Sequence, residues 1–277
     1  MYMKLKDGKS KVLTLSYDDG VVQDIRLIAL MDKYGIKGTF NVNSACYLDE
    51  NAQREKYCGR MKLSEAKELY INSGHEVAVH SLTHPFLEKL KPHEVIKEVL
   101  EDRKRIENDY SVFARGMAYP YGTYSDEVVD ILKDCGICYS RTVKSTLDFG
   151  FPENWLTLHP TCHHKNPKLM ELAENFLKQS RYISNNLMFY LWGHSYEFDS
   201  DNNWNVIEDF FKFVSNKEDI WYATNIEIYD YVKAYESLVV SADSKRVYNP
   251  TSTEVWFIES LTSPEIRSVK GGETITL

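Results

Sequence analysis

The stretch KVLTLSYDDG, residues 11–20, joins a run of apolar and β-branched residues to two aspartates and a glycine. The run from Lys11 to Tyr17 is typical of a strand, and the glycine indicates a turn directly after it. Asp18 and Asp19 therefore stand where the strand ends. Asp-Asp-Gly alone is usually only a turn. Adjacent carboxylates repel each other, however, and a positive charge nearby would offset that repulsion. The pair is therefore a candidate binding site for such a charge.

Strand-like and helix-like segments alternate from this stretch to about residue 236. Helical spacing is clear at Asp24 to Tyr34 and at Pro92 to Tyr110, and LMFYLWGH near the end reads as a strand. WLTLHP, residues 155–160, is also expected to be a strand. Such repeated units predict an α/β fold with a parallel sheet closed or nearly closed into a barrel. An open doubly wound sheet is the alternative, but no glycine-rich phosphate loop follows the first strand.

The domain organisation is predicted from a change in the sequence pattern near residue 237, where helix-like segments give way to short strand-like segments with turns. We expect residues 1–236 to form the barrel and residues 237–277 to form a small β extension packed on it.

The chain has 277 residues, of which 43% are apolar and 27% charged, as in ordinary globular proteins. No run approaches the ~18 apolar residues that span a bilayer, and no secretory signal is visible, so a cytoplasmic location is expected.

Charge and cysteine content exclude some function classes. A net charge of −8 argues against a nucleic-acid partner. Five cysteines without a framework spacing argue against a disulfide-stapled fold. Cys135 and Cys138 form a CxxC, but no second pair accompanies them, so burial is the expected role.

Polar residues follow several of the predicted strands. Barrel enzymes carry their chemistry at the carboxyl ends of the strands, so these residues are expected to converge. HSLTH places His80 and His84 four residues apart, and Pro85 disfavours a helix there, which leaves a loop. Two imidazoles and one aspartate form a three-ligand site of the kind that holds catalytic zinc, although iron(II) also takes this set and a solvated loop is the alternative.

These residues resemble the polysaccharide deacetylase family, the NodB-homology domain of carbohydrate esterase family 4. The resemblance rests on an ordered set of motifs over about residues 11 to 236: TLSYDDG, HSLTH, YPYG and LWGH. It implies a distorted (β/α) barrel of about seven strands that removes N- or O-acetyl groups from sugars. It also implies a divalent metal, zinc before cobalt, nickel, manganese or iron.

The resemblance also assigns roles to residues of this chain. Asp18 matches the general base and Asp19 the metal-ligating aspartate, with His80 and His84 as the other two ligands. Tyr121 would offer its backbone N–H to the oxyanion, and His194 matches the general acid. The positions expected at the substrate site are Tyr119, Pro120, Trp155, His163 and His164.

Two departures from the family pattern concern the residues that orient the acid and the base. Ala118 stands where the family commonly has an arginine that orients the catalytic aspartate, and Arg115 has the wrong spacing to replace it. The Asp-Trp motif, whose aspartate tunes the acid, is represented by Asn154 and Trp155, with Asp148 upstream as the candidate substitute. A core position for Trp155 is equally consistent with the sequence.

The expected function is hydrolysis of the acetyl C–N bond of an N-acetylated sugar or a related carbohydrate. The first alternative is a hydrolase of a small non-carbohydrate amide or an O-acetyl ester. The second is an inactive carbohydrate-binding barrel, which intact acid, base and ligand positions disfavour. The expected partner is thus an acetylated carbohydrate or small amide, with no nucleic acid or membrane partner and with the oligomeric state open.

Overall fold

The structure is a computed structural model that describes residues 1–53, 59–71, 73–179, 186–262 and 264–277. Its strands in chain order are β1 (Tyr2–Lys4), β2 (Lys11–Asp18), β3 (Thr39–Val42), β4 (Glu76–Val79), β5 (Gly116–Ala118), β6 (Tyr139–Arg141), β7 (Cys162–His163), β8 (Leu187–Gly193), β9 (Ile220–Tyr222), β10 (Val239–Val240), β11 (Arg246–Tyr248), β12 (Val255–Ile258), β13 (Ile266–Val269) and β14 (Thr274–Thr276). Its α-helices are α1 (Asp24–Lys33), α2 (Leu63–Ile71), α3 (Pro92–Tyr110), α4 (Asp126–Asp134), α5 (Leu169–Lys178), α6 (Tyr196–Ser200), α7 (Trp204–Val214) and α8 (Asn225–Glu236).

The strand β2 is the centre of a curled parallel sheet. It pairs with β8 along one side, while β3 and β9 share the other side. The strand order is β6-β5-β4-β3-β2-β8-β7, and helices follow most of these strands in the chain. All eight residues of β2 are buried, as expected for a parallel sheet covered on both faces. This arrangement confirms the predicted distorted barrel of about seven parallel strands.

Residues on β2 alternate between two environments, which fixes where the functional groups lie. Leu13, Leu15 and Tyr17 pack in the large apolar cluster together with helix residues such as Leu27 and Met31. The intervening residues face the barrel interior, because successive side chains of a strand point to opposite faces. The last of them is Asp18, at the carboxyl end.

The gap between β6 and β8 is spanned by residues 158–163. Leu158 forms a parallel bridge with Arg141, and the Thr161 N–H donates to the Tyr190 carbonyl at 2.8 Å. The prediction of a strand at WLTLHP was wrong, because Trp155–Thr157 form a 3₁₀ turn. The Asn154 side chain accepts the Leu156 N–H at 3.0 Å and thereby caps this turn.

The segment after α8 forms two small antiparallel sheets. One contains β10, β11 and β14, and the other contains β12, β13 and β1. Strand β1 pairs with β12, so the first residues of the chain pack with this C-terminal segment. The boundary between residues 236 and 237 stays a prediction.

Two further sequence features concern the thiols and the membrane. Cys135 is buried and Cys138 half-buried, and both are free thiols. Across the described ranges, no helix combines the length and the apolar character that crossing a membrane requires.

Glu76 lies inside the barrel at the amino end of β4, opposite the end that carries Asp18. Its carboxylate accepts hydrogen bonds from the Tyr139 hydroxyl at 2.7 Å, the Thr39 hydroxyl at 2.8 Å and the Ile226 N–H at 2.9 Å. Ile226 belongs to the first turn of α8, so this carboxylate also satisfies a free donor of that helix. Burial raises the pKa of Glu76 to about 7, although the three hydrogen bonds lower it.

We expect Glu76→Gln to remove part of the pH dependence of stability. The folded protein holds this proton more tightly than the unfolded chain, so the stabilisation is present below the unfolded pKa of 4.5 and is lost as the pH rises through about 7. Between pH 5 and 7.5, the free energy of unfolding of the wild type should fall by roughly 2 kcal/mol more than that of the variant. Urea denaturation at both pH values measures this. Equal falls in both proteins would contradict the prediction.

Candidate active site

Four strands deliver side chains to one point at their carboxyl ends. Asp18 ends β2, His80 follows β4, Arg141 ends β6, and His194 follows β8. Oδ2 of Asp18 lies 3.9 Å from Nε2 of His80 and 3.9 Å from Nε2 of His194. The structure therefore brings together the predicted base, one predicted ligand and the predicted acid, which are distant in sequence.

The backbone leaves the extended conformation of β2 at Asp19, the residue after Asp18. Its φ is +87°, and its N–H donates to the Asn41 carbonyl at 2.9 Å. The Arg60 guanidinium donates to Oδ1 of Asp19 at 2.9 Å and to the Asn43 side-chain oxygen at 3.0 Å. Because Arg60 takes Oδ1, the other carboxylate oxygen can serve a different partner. Oδ2 lies 4.0 Å from Nε2 of His194.

Asp19, His80 and His84 form a group whose donor atoms all lie within 4.8 Å of one another. Nδ1 of His80 lies 2.8 Å from the Ala118 carbonyl, which can only accept, so Nδ1 carries the proton and Nε2 has a free lone pair. Burial lowers the pKa of His80 to about 4, partly opposed by Asp18, so the ring is neutral at pH 7. A neutral imidazole fixed by a hydrogen bond on its other nitrogen is what a metal ligand requires. These residues fit a divalent metal.

The backbone at this end of the barrel is strained at several functional positions. Asp19, Ser81, His84 and Tyr121 all have φ between +59° and +87°. Side chains other than glycine rarely occupy this region, and such residues cluster at functional sites. The strain thus coincides with two of the proposed ligands and with the YPYG turn.

Arg141 takes the place of the arginine that the family pattern puts at Ala118. Its guanidinium is fully buried and forms an ion pair with Oδ2 of Asp18, and it lies over the Trp192 ring at 4.4 Å. Arg141 on β6 pairs in register with Ala118 on β5, so the two positions are neighbours on adjacent strands. Arg115 instead pairs with Asp230 at 2.6 Å.

The surroundings of Asp18 and His194 shift their pKa values in opposite directions. Burial raises the pKa of Asp18, but Arg141, His80 and His194 outweigh it and hold it below its usual value. Burial lowers the pKa of His194, but Glu197, Asp18 and Asp19 outweigh it and raise the pKa above its usual value. At neutral pH, one group is therefore a carboxylate that can accept a proton, and the other holds its proton more firmly than a free histidine.

A second group of side chains surrounds Glu197 in α6. Its Oε2 lies 3.1 Å from Nε2 of His163 and 3.3 Å from Nε2 of His164. The same oxygen lies 3.4 Å from Nδ1 of His194, and Lys165 Nζ lies 3.1 Å from Oε1. We call His163, His164 and Glu197 the second cluster. Burial raises the pKa of Glu197, but the histidines outweigh it and hold it far below its usual value.

Comparison with known proteins places this arrangement in a family. Residues 5–140 match the family described as polysaccharide deacetylase. This part of the chain belongs to the polysaccharide deacetylase family. A peptidoglycan-N-acetylglucosamine deacetylase from Listeria monocytogenes is 26% identical over 127 residues, which cover 45% of this chain and 24% of that protein. The chain thus spans about a quarter of the length of the curated relatives it matches.

Solved structures share the fold at low identity. A Mycobacterium smegmatis protein assigned to the polysaccharide deacetylases has a TM-score of 0.60 at 16% identity, covering 85% of this chain and 94% of its own. A carbohydrate esterase family 4 pseudoenzyme from Bacillus anthracis has a TM-score of 0.50 at 17% identity, covering 83% of this chain and 68% of its own. The fold thus includes a protein described as a pseudoenzyme, so activity must be argued from the site.

The family's turn motif YPYG lies beside the metal ligands. The Tyr121 ring meets the His84 ring edge-on at 4.5 Å and stacks on Phe86 at 3.8 Å. Tyr119 is buried, and its hydroxyl donates to the Leu156 carbonyl at 2.9 Å. Pro120 is buried as well. The contacts of Tyr119 and Pro120 are those of residues that shape the turn, whereas Tyr121 adjoins the ligands.

The remaining predicted residues divide into two groups. His163 and His164 adjoin His194 through Glu197, as described above. Trp155 packs edge-on against Tyr229 of α8 at 5.3 Å, a contact that favours its interpretation as a core residue. Asp148 accepts the Phe149 N–H at 2.7 Å and lines a separate cavity of about 320 Å³ together with His159, so its contacts give it no link to His194.

Sequence reasoning missed three residues that the structure places around the acid, the base and the ligands. Arg60 comes from a loop before α2, Arg141 from a short strand and Glu197 from a one-turn helix. No spacing rule singles out Arg60 or Arg141. Glu197 follows His194 by three residues in HSYE, and this proximity was the available signal.

Proposed function

We propose that this protein is a metal-dependent hydrolase that removes an acetyl group from an N-acetylated sugar or related carbohydrate. The observation that carries the proposal is the placement of Asp18 and His194 within 4 Å of each other beside the Asp19–His80–His84 group. A carbohydrate-binding barrel without activity has no need for a poised acid and base beside a ligand set. The cytoplasmic location stays a prediction.

The residues of this chain divide the reaction between them. Asp19, His80 and His84 would hold the divalent metal, which when bound polarises the acetyl carbonyl and lowers the pKa of water. Asp18 accepts the proton of the attacking water as it adds to the carbonyl carbon. Arg141 and Asn41, which donates to Oδ1 of Asp18 at 2.9 Å, hold this carboxylate in place.

The second half of the reaction needs an oxyanion donor and an acid. We assign the Tyr121 N–H to the developing oxyanion, since its turn adjoins His84. His194 donates a proton from Nε2 to the leaving nitrogen, because an amide nitrogen leaves poorly without one. The C–N bond then breaks, and acetate and the free amine are the products.

The choice of substrate rests on a relative and leaves an alternative. The Listeria monocytogenes relative is described as a peptidoglycan-N-acetylglucosamine deacetylase, which supports an N-acetylated sugar here. The alternative is a small amide or an O-acetyl ester, for which the same acid and base would serve. Zinc is the first candidate for the metal, because two imidazoles and a carboxylate suit it.

Acetate release from N-acetylglucosamine oligomers tests the proposal. We expect the protein to lose this activity after chelator treatment and to regain it with zinc or cobalt, since the ligand set is needed for catalysis. O-acetylated xylose and a small N-acetyl amide, assayed in parallel, distinguish the alternative. A metal-loaded protein that releases acetate from no acetylated sugar would contradict the carbohydrate substrate.

A further inference from the structure

The second cluster lies directly behind the proposed acid. The carboxylate of Glu197 accepts the backbone N–H of His194 at 3.2 Å and faces Nδ1 of the same residue at 3.4 Å. Nε2 of His194 faces the opposite way, toward the two aspartates. Glu197 therefore contacts His194 at two points and on the side away from the ligands.

The same carboxylate is itself held from several directions. Oε2 faces the Nε2 atoms of His163 and His164, and Oε1 faces the Lys165 ammonium. Lys165 is in turn 2.7 Å from Asp201. His164 is fixed by packing, since its ring lies 4.2 Å from Phe198 and closely over Gly193, where even a Cβ atom would clash. The orientation of Glu197 is thus set by several neighbours at once.

Two imidazoles and a carboxylate could also bind a cation, and the donor atoms lie within 4.8 Å of one another. A hydrogen bond argues against this: Nδ1 of His163 accepts the Lys165 N–H at 3.1 Å. The neutral ring then carries its proton on Nε2, which donates to Glu197 and has no lone pair for a metal. The Lys165 ammonium already supplies a positive charge to the same carboxylate. Glu197 is thus paired with His163 and Lys165, whereas the ring nitrogens of His164 make no hydrogen bond within the described part of the chain.

We propose that Glu197 is the positioning residue of the acid: it holds His194 so that Nε2 faces the leaving group, and His163 and Lys165 hold Glu197. This inference rests on the proposed function, because it assigns a partner to the acid of that reaction. In this chain the carboxylate comes from Glu197, three residues after the acid histidine. In the family pattern it comes from an aspartate in a separate Asp-Trp motif. Asn154 and Trp155 leave that expected position without a carboxylate.

The dependence on the leaving group tests the proposal. Glu197→Gln keeps the shape but removes the charge, so we expect kcat for an N-acetyl sugar to fall about 10²-fold with little change in KM. 4-Nitrophenyl acetate has a leaving group that needs no protonation, and its hydrolysis should change less than about threefold, since only the acid is affected. Asp18→Asn should reduce both rates, and Glu171→Gln, an exposed glutamate in the first turn of α5, should reduce neither.

Equal losses on the two substrates, or no loss on either, would overturn the inference. A metal content of two equivalents in the wild type that falls to one in Glu197→Gln would also overturn it, because the cluster would then be a cation site. Should Glu197→Gln fail to fold, His163→Gln carries the test with a smaller selective loss in the same direction. His163 is half-buried, and its loss leaves the carboxylate in place.

Nitrogen-15 NMR of the histidine rings separates this inference from the proposed function, because it needs no substrate. In the metal-free wild type at pH 8, His194 should be locked as the tautomer with the proton on Nδ1. In Glu197→Gln, both tautomers should be populated. A mixed population already in the wild type would contradict the positioning role even if acetate release is observed. A locked tautomer without acetate release would contradict only the proposed function.

Discussion

Asp18→Asn is expected to lower kcat for acetate release by about 10³-fold or more while the bound metal is retained. Asparagine has the shape of the carboxylate but cannot accept a proton from water at neutral pH. The metal ligands Asp19, His80 and His84 are unchanged, so metal content measured by mass spectrometry should equal that of the wild type. Rates are best compared well below the melting temperature, because the variant leaves Arg141 without its counter-charge.

Asp130→Asn provides the matched control for this experiment. Asp130 is an exposed residue of α4 whose carboxylate pairs with Lys133 at 2.7 Å, outside the site. Its replacement should leave both turnover and metal content unchanged. If Asp18→Asn keeps more than about a tenth of the wild-type kcat, the assignment of the base is wrong, since loss of a general base costs at least ~10²-fold.

Arg141→Met is expected to reduce the free energy of unfolding by about 3–5 kcal/mol, because it leaves Asp18 as an unpaired buried charge. The guanidinium is fully buried and Asp18 is almost so, which means that water cannot replace the lost partner. The double variant Asp18→Asn/Arg141→Met should recover much of this loss, since it contains neither charge. Urea denaturation of the wild type, both single variants and the double variant measures the coupling.

Arg115→Met is the control for the loss of an arginine. Arg115 pairs with Asp230, and both side chains are about a third or more exposed, so the change in unfolding free energy should stay within about 1 kcal/mol. Strictly additive losses in the double variant would show that Arg141 and Asp18 are not coupled. Arg141 would then have no part in orienting the base.

Much of the fold could be predicted because local sequence and tertiary structure agree. The helix Pro92–Tyr110 has the predicted bounds, since its first proline and its periodic apolar residues mark it. WLTLHP failed for a local reason: Asn154 offers the backbone a side-chain hydrogen bond that competes with strand pairing. Apolar pattern alone does not record that competition.

The candidate site divides in the same way. Asp18, Asp19, His80 and His84 were predictable, because each motif is short and lies at the end of one strand. Arg141 was not, since its role depends on the register that sets β6 beside β5, and one sequence carries no signal of that register. Arg60 lies 41 residues from Asp19 in the chain, and their contact likewise depends on the tertiary fold.

The left-handed backbone at Asp19, Ser81, His84 and Tyr121 has a consequence for laboratory evolution. Each position costs on the order of 1 kcal/mol or more relative to glycine, so glycine there would relieve conformational strain. A library screened for heat resistance alone should therefore enrich glycine at these positions, including those of two proposed ligands. Selection for thermal tolerance would then favour glycine at these positions, whereas selection for turnover would favour the residues present now.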